Sequence, residues 1–341
     1  MEEHLIIQEA HMKIITILLV LITFVGISFS QSFDSEHFTI EKLTNGVYTA
    51  IHKNGGYAIC NAGIVDLGDK TLLFDCFISP KAARDLKKAA EQLTGNDVKY
   101  VVNSHFHNDH IRGNQIFPGA EIIATQKTKE LIEETEPEEL EYEKKVVDDR
   151  IKSTQREIEG ETDHRKLEEH KMWLGYYKAI KESFSEYKTI LPDKIVKDTL
   201  VIQGKDRRVI LFCRGKGHTE SDMVLLLPED KILFTGDLLF IKNHPWLGDG
   251  FVEEWIEYLE ELKKLNVEQI VPGHGPVGET QNLDKMISYI QTITNLVDDA
   301  ITNNISKEDL RLTTIPDEFK DWLLSRFFTL NLVVQYNKKS N

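Results

Sequence analysis

Residues 103–114 read Asn103-Ser104-His105-Phe106-His107-Asn108-Asp109-His110-Ile111-Arg112-Gly113-Asn114, directly after a short apolar strand pattern at 98–102. Three histidines and one aspartate fall within six residues of what reads as a loop. Imidazole and carboxylate are donors that bind zinc at about 2.0–2.2 Å. His105 and His107 alternate on an extended segment, so both rings can face one way. Asp109 and His110 follow the turn and can face a second ion.

Working outward, three single residues stand in similar places, each just after a strand pattern. They are His218 in Gly217-His218-Thr219, Asp237 in Gly236-Asp237, and His274 in Gly273-His274-Gly275. The flanking glycines permit sharp turns that bring a side chain into a cluster. Seven donors suffice for two ions, each keeping an open position for water. His37, His52, His164 and His170 read as ordinary core or surface histidines. His244 and Trp246, in His244-Pro245-Trp246-Leu247, are candidates for a substrate wall. Cys213, five residues before His218, reads as a core thiol.

The rest of the chain alternates strands with helices. Residues 38–77 form short β-branched and aromatic runs split by Asn45-Gly46, Asn54-Gly55-Gly56 and Gly68-Asp69, which are hairpin signals. Ser79-Pro80 opens a helix over 81–93. Residues 120–124 read as a strand. Residues 126–187 are rich in Glu and Lys, and predict a helical insertion of two or three antiparallel helices, broken near Glu159-Gly160-Glu161. The insertion follows the first donor loop by one strand; a lid, a solvated hairpin and an oligomer contact all fit that position. Its Met172, Trp173, Tyr176 and Tyr177 read as the hairpin's own core. Strand patterns return from Thr199, followed by helices over 253–265, 280–303 and 316–334. Two β-rich halves with helices outside imply two facing sheets.

Of the 341 residues, 41 are Lys or Arg and 56 are Asp or Glu, for a net charge of −15. That balance argues against a nucleic-acid backbone or an anionic membrane surface as partner, since both need a basic footprint. The partner expected is a small-molecule substrate. Three cysteines cannot build a disulfide framework.

Residues 12–30 have a short positive start at Lys13, an apolar run of about 13–16 residues, and small residues at Ser28 and Ser30. The run is shorter than the roughly 18–20 residues that spanning needs. The reading is a signal peptide over 1–30, a mature domain over 31–341 with its insertion at about 126–190, and a secreted or periplasmic protein. Losing Glu2, Glu3, Glu9 and Lys13 with the leader takes the charge from −15 to −13.

The set His105-Phe106-His107-Asn108-Asp109-His110, Gly217-His218-Thr219, Gly236-Asp237 and Gly273-His274-Gly275 resembles the metallo-β-lactamase superfamily. Asp75, in Leu72-Leu73-Phe74-Asp75, resembles the acidic residue that ends an early strand and supports the site by hydrogen bonding. The similarity covers roughly residues 38–295, interrupted by the insertion. It implies an α/β fold, a four-layer αβ/βα sandwich with the metal site at one edge between the sheets. It implies two Zn2+ per chain: His105, His107 and His218 on one, Asp109, His110 and His274 on the other, Asp237 bridging. Asp109 would also orient the nucleophile or shuttle its proton.

The resemblance implies a hydrolase in which a metal-bridging hydroxide cleaves an amide, ester or lactam-type bond. A β-lactam is one such substrate. Asp237 departs from the lactamases most similar around Gly-His-Thr, which carry Cys there; Asp is the pattern of glyoxalase II-like thioesterases and phosphodiesterases. Export favours a lactam or ester over a thioester of a cytosolic thiol carrier, and the acidic charge disfavours a nucleic-acid phosphodiester. Mass spectrometry of the exported protein is expected to find an N-terminus near Gln31; an intact leader on cytoplasmic protein is the contrary result.

Overall fold

Two of the three hairpin signals close as read. The computed structural model describes residues 33–340; the leader assigned to 1–30 lies outside the described residues. β1 (Phe38–Thr44) turns through Gly46, at φ 75°, into β2 (Val47–His52). β3 (Ala62–Asp66) turns at Gly68 into β4 (Thr71–Phe74). The Asn54-Gly55-Gly56 signal is not a tight hairpin. β2 and β3 pair antiparallel, but residues 53–61 connect them by a longer excursion.

After β4 the chain changes style. α1 (Pro80–Thr94) starts where Ser79 accepts a hydrogen bond from the Ala82 amide, and ends at Gly95 in the left-handed conformation. It carries the chain over to β5 (Val98–Val102), which pairs parallel to β4. β6 (Glu121–Thr125) and β7 (Lys194–Val196) continue the parallel run. The seven strands lie in chain order. Between β5 and β6 sit a short helix, α2 (Asn108–Ile111), and one 3-10 turn (Asn114–Ile116).

The second sheet has order β12-β11-β10-β9-β8, formed by β8 (Thr199–Gln203), β9 (Arg208–Cys213), β10 (Met223–Leu227), β11 (Ile232–Phe240) and β12 (Gln269–His274). β8 to β11 are antiparallel; β12 joins β11 in parallel after the crossover helix α5 (Val252–Leu262). Strand alternation divides the core. Leu225, Leu227, Ile232 and Phe234 meet Leu72, Phe74 and Val102 of the first sheet. Val224 and Leu233 point the other way, into a layer built by α5 and α6 (Gln281–Thr302), α7 (Lys307–Leu310) and α8 (Arg326–Ser340). α1 covers the outer face of the first sheet. The layers therefore run helix, sheet, sheet, helix, as expected.

The insertion is two helices, α3 (Gln126–Gly160) and α4 (His164–Ser183). The break falls at the expected place, and Asp163 restarts the helix by accepting from the Arg165 and Lys166 amides. The insertion docks on the donor loop through a buried charge. Arg112 is 2% exposed; its Nη1 lies 2.8 Å from Glu143 and its Nη2 3.0 Å from Glu136 of α3. Asn108 donates to Glu139 and Glu143 of α3 and to Tyr176 of α4. Taking away the guanidinium strands two buried carboxylates, which typically costs about 3–5 kcal/mol. Arg112→Met is therefore expected to lower unfolding stability by about that amount in urea titration; a loss under about 1 kcal/mol means the pair does not hold the insertion.

Candidate metal centre

All seven donors singled out by the motifs come together at one edge between the sheets. His105, His107, Asp109 and His110 ride the loop after β5 and the start of α2; His218 sits between β9 and β10; Asp237 lies within β11; His274 ends β12. Two glycines make the approach possible. Gly236 holds φ 55°, and a Cβ there would stand 2.7 Å from the Ser104 side chain. A Cβ on Gly273 would stand 1.8 Å from Asp237 Oδ1.

The donors fall into two groups: His105, His107, His218 and Asp237, and Asp109, His110 and His274. His107 Nδ1 lies 3.0 Å from both His105 Nε2 and His218 Nε2. Asp237 Oδ2 is 3.5 Å from His218 Nε2 and 4.0 Å from His105 Nε2. In the second group Asp109 Oδ2 lies 3.6 Å from His110 Nε2 and 3.4 Å from His274 Nε2. Asp237 reaches this group too, at 3.1 Å from His110 and 3.3 Å from His274. Donors about 2.0–2.1 Å from a tetrahedral zinc stand roughly 3.3 Å apart, so the spacing fits. So do His110 Nε2 and Asp237 Oδ1, which are buried 3.1 Å apart without hydrogen-bond geometry between them.

The charges point the same way. Burial pushes Asp109 up, yet His110 and His274 offset it and hold the carboxyl at about 2. Burial alone would lower His274, but Asp237 and Asp109 carry it up to about 9. His218 falls to about 3, chiefly through burial. The neighbouring carboxylates likewise raise His110, so the donor set calls for positive charge, which a bound cation would supply.

Asp75 stands behind the site at φ 62°, 1% exposed. Its Oδ2 accepts from His110 Nδ1 at 2.8 Å and from Ser104 Oγ at 2.8 Å; Oδ1 accepts from the Ser104 amide. Ser104 Oγ in turn lies 2.9 Å from His105 Nδ1. One carboxylate thereby orients two rings. The motif reading missed three further supports. Asp249 lies 3.1 Å from His107 Nε2 and accepts from Trp246 Nε1 at 2.8 Å. The Cys60 and Cys76 thiols donate to the Asp109 and His110 carbonyls from beneath the loop. A lone Asp in Gly248-Asp249-Gly250 reads as a turn, and a thiol under a loop leaves no local pattern.

A family model described as the metallo-beta-lactamase superfamily matches residues 55–274. The chain belongs to the metallo-beta-lactamase superfamily. A metallo-beta-lactamase type 2 of Pseudomonas aeruginosa is 27% identical over 252 residues, 70% of this chain and 79% of that protein. One from Bacillus sp. (strain 170) is 40% identical over 77 residues, so the match spans only 21% of this chain and 30% of that relative. The solved metallo-beta-lactamase from Pontibacter korlensis shares the fold with TM-score 0.55 and 18% identity, over 74% of this chain and 99% of that one. Superfamily homologues are metal-dependent hydrolases.

A cavity of about 840 Å³ opens over the superfamily site. Its floor includes His107, Asp109, His218, Asp237 and His274; α3, α4 and the start of α8 wall it. The insertion thus faces the site rather than only solvent. Trp173, Tyr176 and Tyr177 line the cavity instead of forming only a private hairpin core. Trp246 lines it as well. His244 does not, which corrects its reading as a wall residue. Its amide donates to the Leu323 carbonyl at 2.8 Å, and this turns the ring away into the outer helical layer. There His244 is fully buried beside Tyr289, Trp322 and Phe328, and burial lowers it to about 4. Cys213 is only half-buried, beside Ser221. For the support network, Asp75→Asn is expected to weaken metal retention by about 10–100-fold in chelator competition; unchanged retention would show that Asp75 does not orient the rings.

Proposed function

We propose that the protein is an exported dinuclear zinc hydrolase of small molecules, cleaving an amide, ester or lactam-type bond. The observation that carries this is Asp237, whose carboxylate stands within 4.0 Å of histidines from both donor groups. His105, His107 and His218 would hold one ion and Asp109, His110 and His274 the other, with Asp237 between. Bound in this way, two zinc ions supply Lewis acidity and bring the pKa of water towards neutrality.

The chain's own groups do the rest. Asp109 faces the cavity beside His110 and His274, where it would orient the attacking water or shuttle its proton. Asp75, Ser104 and Asp249 fix the tautomers of His110, His105 and His107, which leaves one defined ring nitrogen of each of these three aimed inward. The aromatic wall of α4 and α8 lines the cavity above the donors and offers an apolar face to the substrate. Export rests on the apolar segment 12–30 and favours substrates met outside the cytoplasm. Asp237 favours a second reading, a glyoxalase II-like thioesterase.

Metal analysis of gently purified protein is expected to give two zinc per chain. Asp109→Ala is expected to lower turnover at least about 100-fold with the best of four substrates: a chromogenic cephalosporin, a lactone, a thioester and bis-nitrophenyl phosphate. Zinc far below one per chain, or full activity in the variant, would sink the proposal. The winning substrate decides between the two readings.

A further inference from the structure

The cavity holds a second cluster of charged groups. Five acids lie on its wall, and each has a partner. Asp109 and Asp237 face the site histidines, and Asp249 faces His107 and Trp246. Glu143 pairs with Arg112, and Glu139 takes the Asn108 amide at 2.7 Å. Two cations on the same wall, Arg150 of α3 and Arg326 of α8, have no such partner. Among the described residues no carboxylate stands within 4.0 Å of either guanidinium.

Arg326 is held in place by aromatic groups alone. Its Cζ lies 3.0 Å from the Trp173 ring centroid, and its Nη1 donates to Tyr177 Oη at 3.4 Å. Phe327 packs edge-on against Trp173, and its ring lies 5.5 Å from that of Trp246. The fork is therefore stacked on one face while its N–H edge stays exposed. Arg150 lines the same cavity, and both residues are exposed. Two guanidinium groups on one cavity wall without a carboxylate partner suit an anion. Guanidinium forks match carboxylate and phosphate oxygens with paired hydrogen bonds. The rim adds Tyr142 and Leu330, 56% and 42% exposed, which suit an apolar body.

We propose that Arg326 and Arg150 form an anion subsite, so that the substrate is an amphiphile. Its anionic oxygen group, carboxylate or phosphate, lies on the two guanidiniums. Its apolar or aromatic body runs along Trp173, Phe327 and Trp246. Its hydrolysable bond reaches the histidine cluster. The last clause rests on the hydrolase reading; the subsite itself does not.

The test is binding to the zinc-loaded full chain, read by calorimetry and by Trp fluorescence, with phenylbutyrate, phenylpropyl phosphate and the neutral phenylbutyramide. At least one anion is expected to bind roughly tenfold or more tighter than the amide, as hydrogen bonds to charged groups imply. Which anion wins tells carboxylate from phosphate. Arg326→Met, with Arg150→Met as the second variant, is expected to remove that preference while amide binding persists; Arg326→Lys keeps part of it. Retained amide binding shows that the variants are folded. Equal affinity for amide and anions, or a preference that survives both Met variants because the anion sits on zinc, overturns the subsite. No bond is broken in this assay, so failure of all four hydrolysis substrates would sink the hydrolase reading and leave this result standing.

Discussion

Asp237 is the residue that the rest of the structure must satisfy. Its carboxylate is 4% exposed and faces ring nitrogens of His105, His110, His218 and His274. A buried carboxylate costs several kcal/mol unless charge and hydrogen bonds compensate it. The compensating rings come from both halves of the chain. His105 and His110 follow β5 of the first sheet, whereas His218 and His274 hang from the second. The two sheets therefore cannot slide past each other without stranding this group. Gly236 and Gly273 belong to the same constraint, because a Cβ at either would occupy the space that Ser104 and Asp237 fill.

The loop that carries four of the seven donors is clamped on both sides. Beneath it, Asp75 and the Cys60 and Cys76 thiols take up its side-chain and backbone groups. Above it, Arg112 and Asn108 bind the glutamates of α3. Residues alternate in purpose along this segment, some aiming into the site and others tying it to the insertion. One consequence is mechanical. The cavity roof and the donor geometry share one support, so the distance between a bound substrate and the histidine cluster is set by packing rather than by a free lid.

Much of this was legible because close spacing and glycine punctuation are local signals. The cluster at 105–110 and the Gly-His-Thr and Gly-His-Gly pieces sit at or after strand ends, whereas Gly236-Asp237, expected just past a strand, lies inside β11 because that strand continues to Phe240; the seven residues still meet in space. The four layers followed from strand runs alternating with amphipathic helices, and the break after Gly160 was visible as a change in pattern. What failed was non-local. His244 lies near Asp237 in sequence, but one backbone bond to Leu323 turns it into the helical layer. Trp173 and Tyr177 show the same aromatic pattern whether they line a cavity or fill a hairpin core; only the position of α8 decides. Asp249 and Arg112 act through partners 142 and 24–31 residues away, which no spacing rule reveals.

The chain's acidity looks different once its charges are located. A net charge of −15 suggests a molecule that repels anions. Yet screening limits surface charges to a range of about 8–10 Å at ordinary salt, and the charges that matter to a ligand are those on the cavity wall. There the acids are already committed to histidines, Arg112 and Asn108. The guanidiniums of Arg150 and Arg326 are the groups left to answer an incoming charge. Sign at the site and sign of the whole molecule are thus decoupled: the net charge is negative, while the unpaired charges on the wall are positive. Arg150 and Arg326 belong to α3 and α8, whereas the donors sit after β5 and β9 and on β11 and β12 at the sheet edge. α8 stands apart from the donor set, whereas α3 also supports the donor loop through Glu136 and Glu143, so substitutions in α8 can retune ligand choice with the least disturbance to the donors.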